Sequence, residues 1–347
     1  MGHYEHMGIF QMRRPLAALL TALAAVLVLV APVHPATSMA APGDPEAAAS
    51  QVEPAVARID TELHYQNAIG NGAGIVLDPG GQVMTNFHVV SGADRITATV
   101  AGRSYPAELV GYDRRRDVAV LQLLGGGGLP AATIGDSGAL VVGEPVVALG
   151  NAQGSSAPLT REVGTVTGFS RTVNAEDSLT GSKDELTGLI EFAAPVVAGD
   201  SGGPVVIAAG QVVGLTTAAT VNFRMGPGGK GFAIPINDAM AIANQIRSGA
   251  PSDSVHIGPP VLIGVGVRTA PQRGTGVLIA DVLRGGAADQ AGLRGGDILT
   301  DLDGTPLDSA TTLTHVLDRH YPGDVIDLTW IDGSGQQRTG KVSLVPQ

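Results

Sequence analysis

The sequence predicts a mainly β protein: a β-barrel or sandwich, then a smaller domain beyond a linker. Three observations carry this. From Val56 onward, short apolar runs alternate with turn signals, as in Gly72 to Leu77, the turn Asp78-Pro79-Gly80-Gly81, and Gln82 to Asn86. A single helical pattern at 237–247 closes that region, and a Ser-, Gly- and Pro-containing stretch separates it from a new apolar pattern. The length of 347 residues suits two domains or one large one, and 44% hydrophobic residues can fill sizeable cores.

The chain opens with Arg13 and Arg14, then an apolar run from Leu16 to Ala31. Ser38-Met39-Ala40 follows, with small residues three and one before a cut after Ala40. This predicts a signal peptide over 1–40 and an exported protein. The alternative is an uncleaved anchor, but the run is short of the ~20 apolar residues that span a bilayer comfortably. Residues 41–55, rich in Ala and Pro, are expected to be a flexible leader. The net charge of −11 argues against nucleic acid or an anionic membrane as partner. With no cysteine, there is no disulfide, thiolate metal site or cysteine nucleophile. His256, His315 and His320 form no ligand-spaced set with carboxylates, so no metal and no cofactor is expected.

Strands are expected at Ile96 to Val100, Ala107 to Tyr112 and Val118 to Leu123. Gln82 to Asn86 should be a strand that delivers His88 at its end. His64 reads as a surface strand residue, Asp113 as facing solvent or capping its polar turn, and Arg114, Arg115 and Arg116 as a solvated loop. The glycine run 125–128 lacks the Lys and Ser or Thr of a phosphate loop, so it reads as a connection. The polar segment 172–188 is expected to be a mobile loop. In the helix, Asn237 or Asp238 is the expected cap, and Ala239, Met240, Ile242, Ala243 and Ile246 share one face.

The chemistry centres on Gly199-Asp200-Ser201-Gly202-Gly203-Pro204. A serine between glycines sits in a tight turn with its hydroxyl presented, and the turn lets the backbone approach a reacting carbonyl. The amides of Gly199 and Ser201 can point at the oxyanion. Serine is a weak nucleophile without a histidine base, and the base needs a carboxylate to orient it. Upstream stand His88, in Thr85-Asn86-Phe87-His88-Val89-Val90, and Asp117, in Arg116-Asp117-Val118-Ala119-Val120-Leu121. Asp117 opens an apolar strand, where a buried carboxylate needs a partner such as an imidazole N–H.

These segments, with Gly231-Phe232-Ala233-Ile234-Pro235, resemble the chymotrypsin-like serine proteases. The likeness is closer to their HtrA/DegP branch, and within it to secreted mycobacterial PepA-type members. The resemblance implies a trypsin-like double β-barrel over 56–249, with His88 and Asp117 on the first barrel and Ser201 on the second. Asp200 departs from the branch, where asparagine is usual, and no Ile-Val-Gly-Gly start implies zymogen activation. By the same resemblance Pro195 lies at the base of the specificity pocket and Thr216 and Thr217 line its wall, with Ala218 and Ala219. No carboxylate stands among them, so cleavage after small or medium apolar residues is expected.

After a linker at 250–260, residues 261–347 resemble a PDZ domain. The carrying stretch is Ala287-Ala288-Asp289-Gln290-Ala291-Gly292-Leu293-Arg294-Gly295-Gly296-Asp297-Ile298-Leu299. Ile263-Gly264-Val265 falls where that family binds a peptide carboxylate. A helix from about Ser309 to Arg319 would form the other wall of the groove, which takes an extended chain end by strand addition. The expected protein is an exported serine endopeptidase acting on unfolded polypeptides, with peptide C-termini as PDZ ligands. The rival is a chaperone-like binding protein with little protease activity. The resemblance implies a homotrimer, and the residues themselves leave trimer and monomer equally open.

Overall fold

The computed structural model describes residues 44–63, 68–154, 157–176, 183–217, 229–269 and 276–347. The expected signal peptide over 1–40, His64, and the pocket residues Ala218 and Ala219 lie outside the described residues. The fold is mainly β, with a trypsin-like pair of barrels followed by a PDZ domain.

Among the described residues the first element is α1 (Pro45–Val52), within the stretch 41–55 expected as a flexible leader. The Asp44 carboxylate caps it by accepting the Glu46 N–H at 3.0 Å, and Pro45 occupies the first turn, where its missing N–H costs nothing. Its buried face of Ala48, Ala49 and Val52 packs on the second barrel. Burying a side chain of valine size contributes about 1.5–3 kcal/mol, enough to order a segment whose composition alone reads as loose.

The first barrel comprises β1 (Val56–Leu63), β2 (Ala68–Val76), β3 (Gln82–Thr85), β4 (Arg95–Val100), β5 (Arg103–Asp113) and β6 (Val118–Leu123). A one-turn helix, α2 (Phe87–Val90), follows β3. The order β5-β4-β1-β2-β3-β6 closes because β5 also pairs with β6. The second barrel is closed in the order β10-β11-β12-β9-β8-β7. Its strands are β7 (Pro145–Gly150), β8 (Thr160–Glu176), β9 (Lys183–Ala193), β10 (Pro204–Ile207), β11 (Val212–Thr217) and β12 (Gly231–Pro235). Much of the 172–188 segment, expected to be a loop, extends the β8–β9 ladder. Within it the cross-strand pair Val173 and Leu186 is buried in the core.

Helix α3 (Ile236–Arg247) starts one residue earlier than expected, with Pro235 at its N-cap. Asn237 is not the cap; its side chain joins Asp136 at 2.7 Å instead. The apolar stripe Ile236, Ala239, Ile242, Ala243 and Ile246 joins a core shared by both barrels, which includes Ile75, Met84 and Val120 with Leu149, Val206 and Leu215. The expected linker at 250–260 contains β13 (Val255–Ile257), which adds to β5 of the first barrel and buries His256.

The PDZ part contains β14 (Val261–Leu262), β15 (Val265–Thr269), β16 (Val277–Val282), α4 (Ala287–Ala291), β17 (Ile298–Leu302), β18 (Thr305–Pro306), α5 (Ala310–Leu317), β19 (Val325–Ile331), β20 (Gln337–Ser343) and β21 (Val345–Pro346). The sheet order β15-β16-β17-β19-β20 leaves β15 at an edge, with α5 against it. Ser309 caps α5 by accepting the Thr312 N–H at 3.2 Å.

Candidate active site

His88 lies in the first turn of α2, and not at a strand end. Asn86 precedes that turn, fully buried, and its side-chain amide donates to the Asp117 carbonyl at 2.9 Å. This bond ties β3 to the loop after β5. The His88 backbone N–H donates to Asp117 Oδ1 at 3.0 Å, and His88 Nδ1 faces Oδ2 at 2.8 Å. Two bonds to one carboxylate set both the position and the rotation of the imidazole. The histidine ring is part-exposed while the aspartate is buried, so one edge of the ring stays open for reaction.

Asp117 has φ +56, a left-handed conformation that costs a non-glycine residue of order 1 kcal/mol. Its N–H donates to the Arg114 carbonyl at 3.2 Å, closing a tight turn. Asp113, expected either in solvent or as the cap of this turn, is fully buried and caps the turn. It accepts the Arg116 N–H at 3.0 Å and Nε at 2.7 Å. Arg114 is not solvated either, with a side chain only 9% exposed.

Ser201 comes from the second barrel and is 4% exposed, so the turn presents less of it than the sequence suggests. Its carbonyl accepts the Ala73 N–H of β2 at 2.8 Å, a bond between the barrels. Gly202 N–H donates to the Thr216 carbonyl and Thr216 N–H to the Gly203 carbonyl, each at 2.8 Å. Gly199 and Gly202 have φ of +95 and +82, and a Cβ on Gly203 would overlap the Leu149 carbonyl oxygen. The glycines are there because backbone, and at Gly202 also the Thr85 hydroxyl, fills the space a Cβ would need. Gly72 lies between Val89, next to His88, and the Ser201 carbonyl, so the two halves of the site adjoin there.

Asp200 is 1% exposed. Its carboxylate accepts from the Thr160 hydroxyl and, at 2.9 Å, from the Val197 N–H. Burial raises its pKa above the usual carboxylate range against the effect of those donors and the Ala152 N–H. Among the described residues no cation pairs with it. Burial also raises Glu162, and the Asp200 charge adds to that.

The expected pocket residues differ in exposure. Pro195 is exposed and lies against the backbone of Gly229. Thr216 and Thr217 are buried, and the Thr217 hydroxyl donates to Asp117 Oδ2 at 3.2 Å. Thr217 therefore braces the aspartate, a role that sequence reasoning missed. Its place in a strand after the Ser201 turn was the only signal. Of the PDZ loop, Ile263 is buried and its carbonyl accepts the Ala288 N–H at 2.8 Å. Gly264 has φ +78, and Val265 opens edge strand β15.

Known proteins share this architecture. Residues 72–215 match the trypsin-like peptidase domain and residues 261–340 the PDZ domain. The serine protease PepD of Mycobacterium tuberculosis is 32% identical over 335 residues, covering 92% of this chain and 69% of that protein. The putative serine protease HhoA of Synechocystis is 31% identical over 314 residues, 79% of this chain and 77% of that one. Solved structures of the HtrA-type protease AlgW and a variant of it, each with tripeptide, align with TM-scores of 0.50 and 0.52. Both are 27% identical, and the alignments cover 88% of this chain and 97% of theirs.

Proposed function

Because the chain belongs to the HtrA/DegP family of serine proteases, we propose that Ser201, His88 and Asp117 carry out its endopeptidase chemistry. The observation that supports this most is the doubly bonded His88–Asp117 pair beside the Ser201 turn. Ser201 Oγ attacks the scissile carbonyl. His88 takes the proton and returns it to the leaving amine. Asp117 holds the ring in the tautomer with Nδ1–H and stabilises the imidazolium. The Gly199 and Ser201 amides receive the oxyanion, a contribution of about 3 kcal/mol per donor in comparable sites.

Polypeptides are the substrates, and unfolded chains are preferred. Pro195 and the strand at Thr216 offer a substrate side chain no carboxylate, so small or medium apolar residues fit, and these are buried in folded proteins. Peptide C-termini bind beside Ile263, Gly264 and Val265, by adding a strand to the free edge of β15 along α5. The protein is exported, as its similarity to a probable periplasmic DegP-like endoprotease of Halomonas elongata supports, although the chain spans only 57% of that relative. Among the described residues, no helix is long and apolar enough to cross a membrane.

The decisive experiment is labelling with a fluorophosphonate. One adduct on Ser201, absent in Ser201→Ala, supports the assignment, whereas an unlabelled protein sinks it. Mass spectrometry of cut sites in unfolded casein then tests specificity. A dominant Lys or Arg before the cut would refute the apolar pocket.

A further inference from the structure

The turn that carries Asp117 is gripped from outside the two barrels. Helix α5 of the PDZ part ends at its C-cap, Asp318. The Asp318 carboxylate accepts Arg114 Nε at 2.7 Å on one oxygen. On the other it accepts Arg114 Nη2 at 3.1 Å and the Tyr112 hydroxyl at 2.6 Å. Both partners of the ion pair are largely buried, so solvent and salt screen it weakly. A two-pronged bond fixes the plane of the guanidinium as well as its position.

Arg114 in turn touches the chain on both sides of the histidine–aspartate pair. Its guanidinium lies over the Phe87 ring at 4.6 Å, and Phe87 is the residue before His88. Its carbonyl accepts the Asp117 N–H at 3.2 Å. Behind it runs an aromatic stack: Phe87 on Tyr112 at 4.1 Å, Tyr112 on His256 at 5.1 Å, and His256 on Tyr321 at 4.6 Å. Nδ1 of His256 faces the Asp318 carbonyl oxygen at 2.9 Å. Burial holds the Tyr112 phenol far above its ordinary pKa, so it remains a neutral donor to Asp318.

We propose that Asp318 is a positioning residue for the peptidase reaction, acting through Arg114 on the His88–Asp117 pair. A left-handed aspartate persists only where its surroundings over-determine it. The turn supplies part of that constraint, and the turn is held by a guanidinium whose orientation Asp318 sets. Without the carboxylate, the guanidinium can swing off Phe87 toward water and carry the Arg114 carbonyl with it. The imidazole then loses alignment, although neither Asp318 nor Arg114 touches substrate. The inference rests on the assignment of His88 and Asp117 given above.

The test uses the full chain and a small ester, which needs no PDZ groove. Asp318→Ala should lower kcat about ten- to a hundredfold, the scale of a small misplacement of catalytic groups, with KM nearly unchanged. Fluorophosphonate labelling should slow in parallel. Arg114→Ala should reproduce the loss, and the double variant should be no slower than the slower single, because both act through one contact. Asp318→Asn, which keeps an acceptor for Tyr112, should recover part of the rate. If Asp318→Ala does not fold, Asp318→Asn and Arg114→Lys are each expected to lower kcat in the same way. Wild-type kcat in these variants, or losses that multiply in the double variant, would overturn the proposal. An inactive His88→Ala beside a fully active Asp318→Ala sinks this inference alone. A fully active His88→Ala sinks the assignment beneath it.

Discussion

The two halves of the active site are held by different physics. On the histidine side, the parts are tied by side chains: Asn86 and Thr217 on Asp117, Arg116 on Asp113, Arg114 on Asp318. On the serine side they are tied by backbone, with Ala73, Thr216 and Gly203 bonded around Ser201 and glycines where any Cβ would collide. The histidine side balances buried carboxylates with arginines. The serine side buries Asp200 with hydrogen-bond donors and, among the described residues, no cation. The histidine side should therefore degrade in steps as single contacts are removed. The serine side should tolerate changes of charge but not of volume.

The largest effect joins the halves. Ser201→Ala and His88→Ala should each lower kcat by about four orders of magnitude or more, with the fold intact by circular dichroism. The double variant should be no worse than the singles, since the residues act as one unit. Losses that multiply would separate the halves into independent contributors.

Next comes volume on the serine side. Gly203→Ala would drive a methyl into the Leu149 carbonyl, with backbone on both sides and no flexible side chain to yield. A cost of about 3 kcal/mol or more is expected, seen as a large drop in melting temperature or loss of soluble protein. A wild-type melting curve would show that this turn has slack.

A contact on the histidine side should cost less. Arg116→Ala leaves the buried Asp113 with fewer donors, but Arg116 is half-exposed and part of its charge is already screened. About 1–2 kcal/mol of stability should be lost, by thermal or denaturant unfolding. Thr217→Val should lower kcat severalfold with little change in KM, because Asp117 loses one donor and keeps the His88 bonds.

The smallest effect concerns charge on the serine side. The folded pKa of Asp200 lies above its unfolded value, so between the two values the folded protein binds more protons. The stability this group contributes is present below the unfolded carboxylate range and is lost as pH rises through the folded value. Asp200→Asn should therefore retain activity and melt slightly higher than the parent at neutral pH, with the advantage gone in acid. A parent that gains on the variant as pH rises would mean that a cation reaches Asp200.

The sequence alone was sufficient for the fold class and the two-part order, and for proposing the three reactive residues. Each rests on a local signal: alternating strands with turn residues, a glycine-flanked serine, a histidine and an aspartate in apolar settings. A glycine turn has to be written locally, because the backbone conformation of Gly199 and Gly202 admits little else. Tertiary structure alone decided what braces those residues. Asp113 and Arg114 look solvated because a run of charges is polar wherever it lies; only the fold buries them, against Arg116 and against an aspartate 204 positions away. Residues 45–52 look loose because alanine gains little by itself, and they become helix α1 on meeting the second barrel. Thr217 reads as pocket wall, since a hydroxyl finds its partner only when its strand meets a turn 100 residues away. Local backbone demands are recorded in neighbouring letters, whereas a side chain's partner is a property of the closed fold.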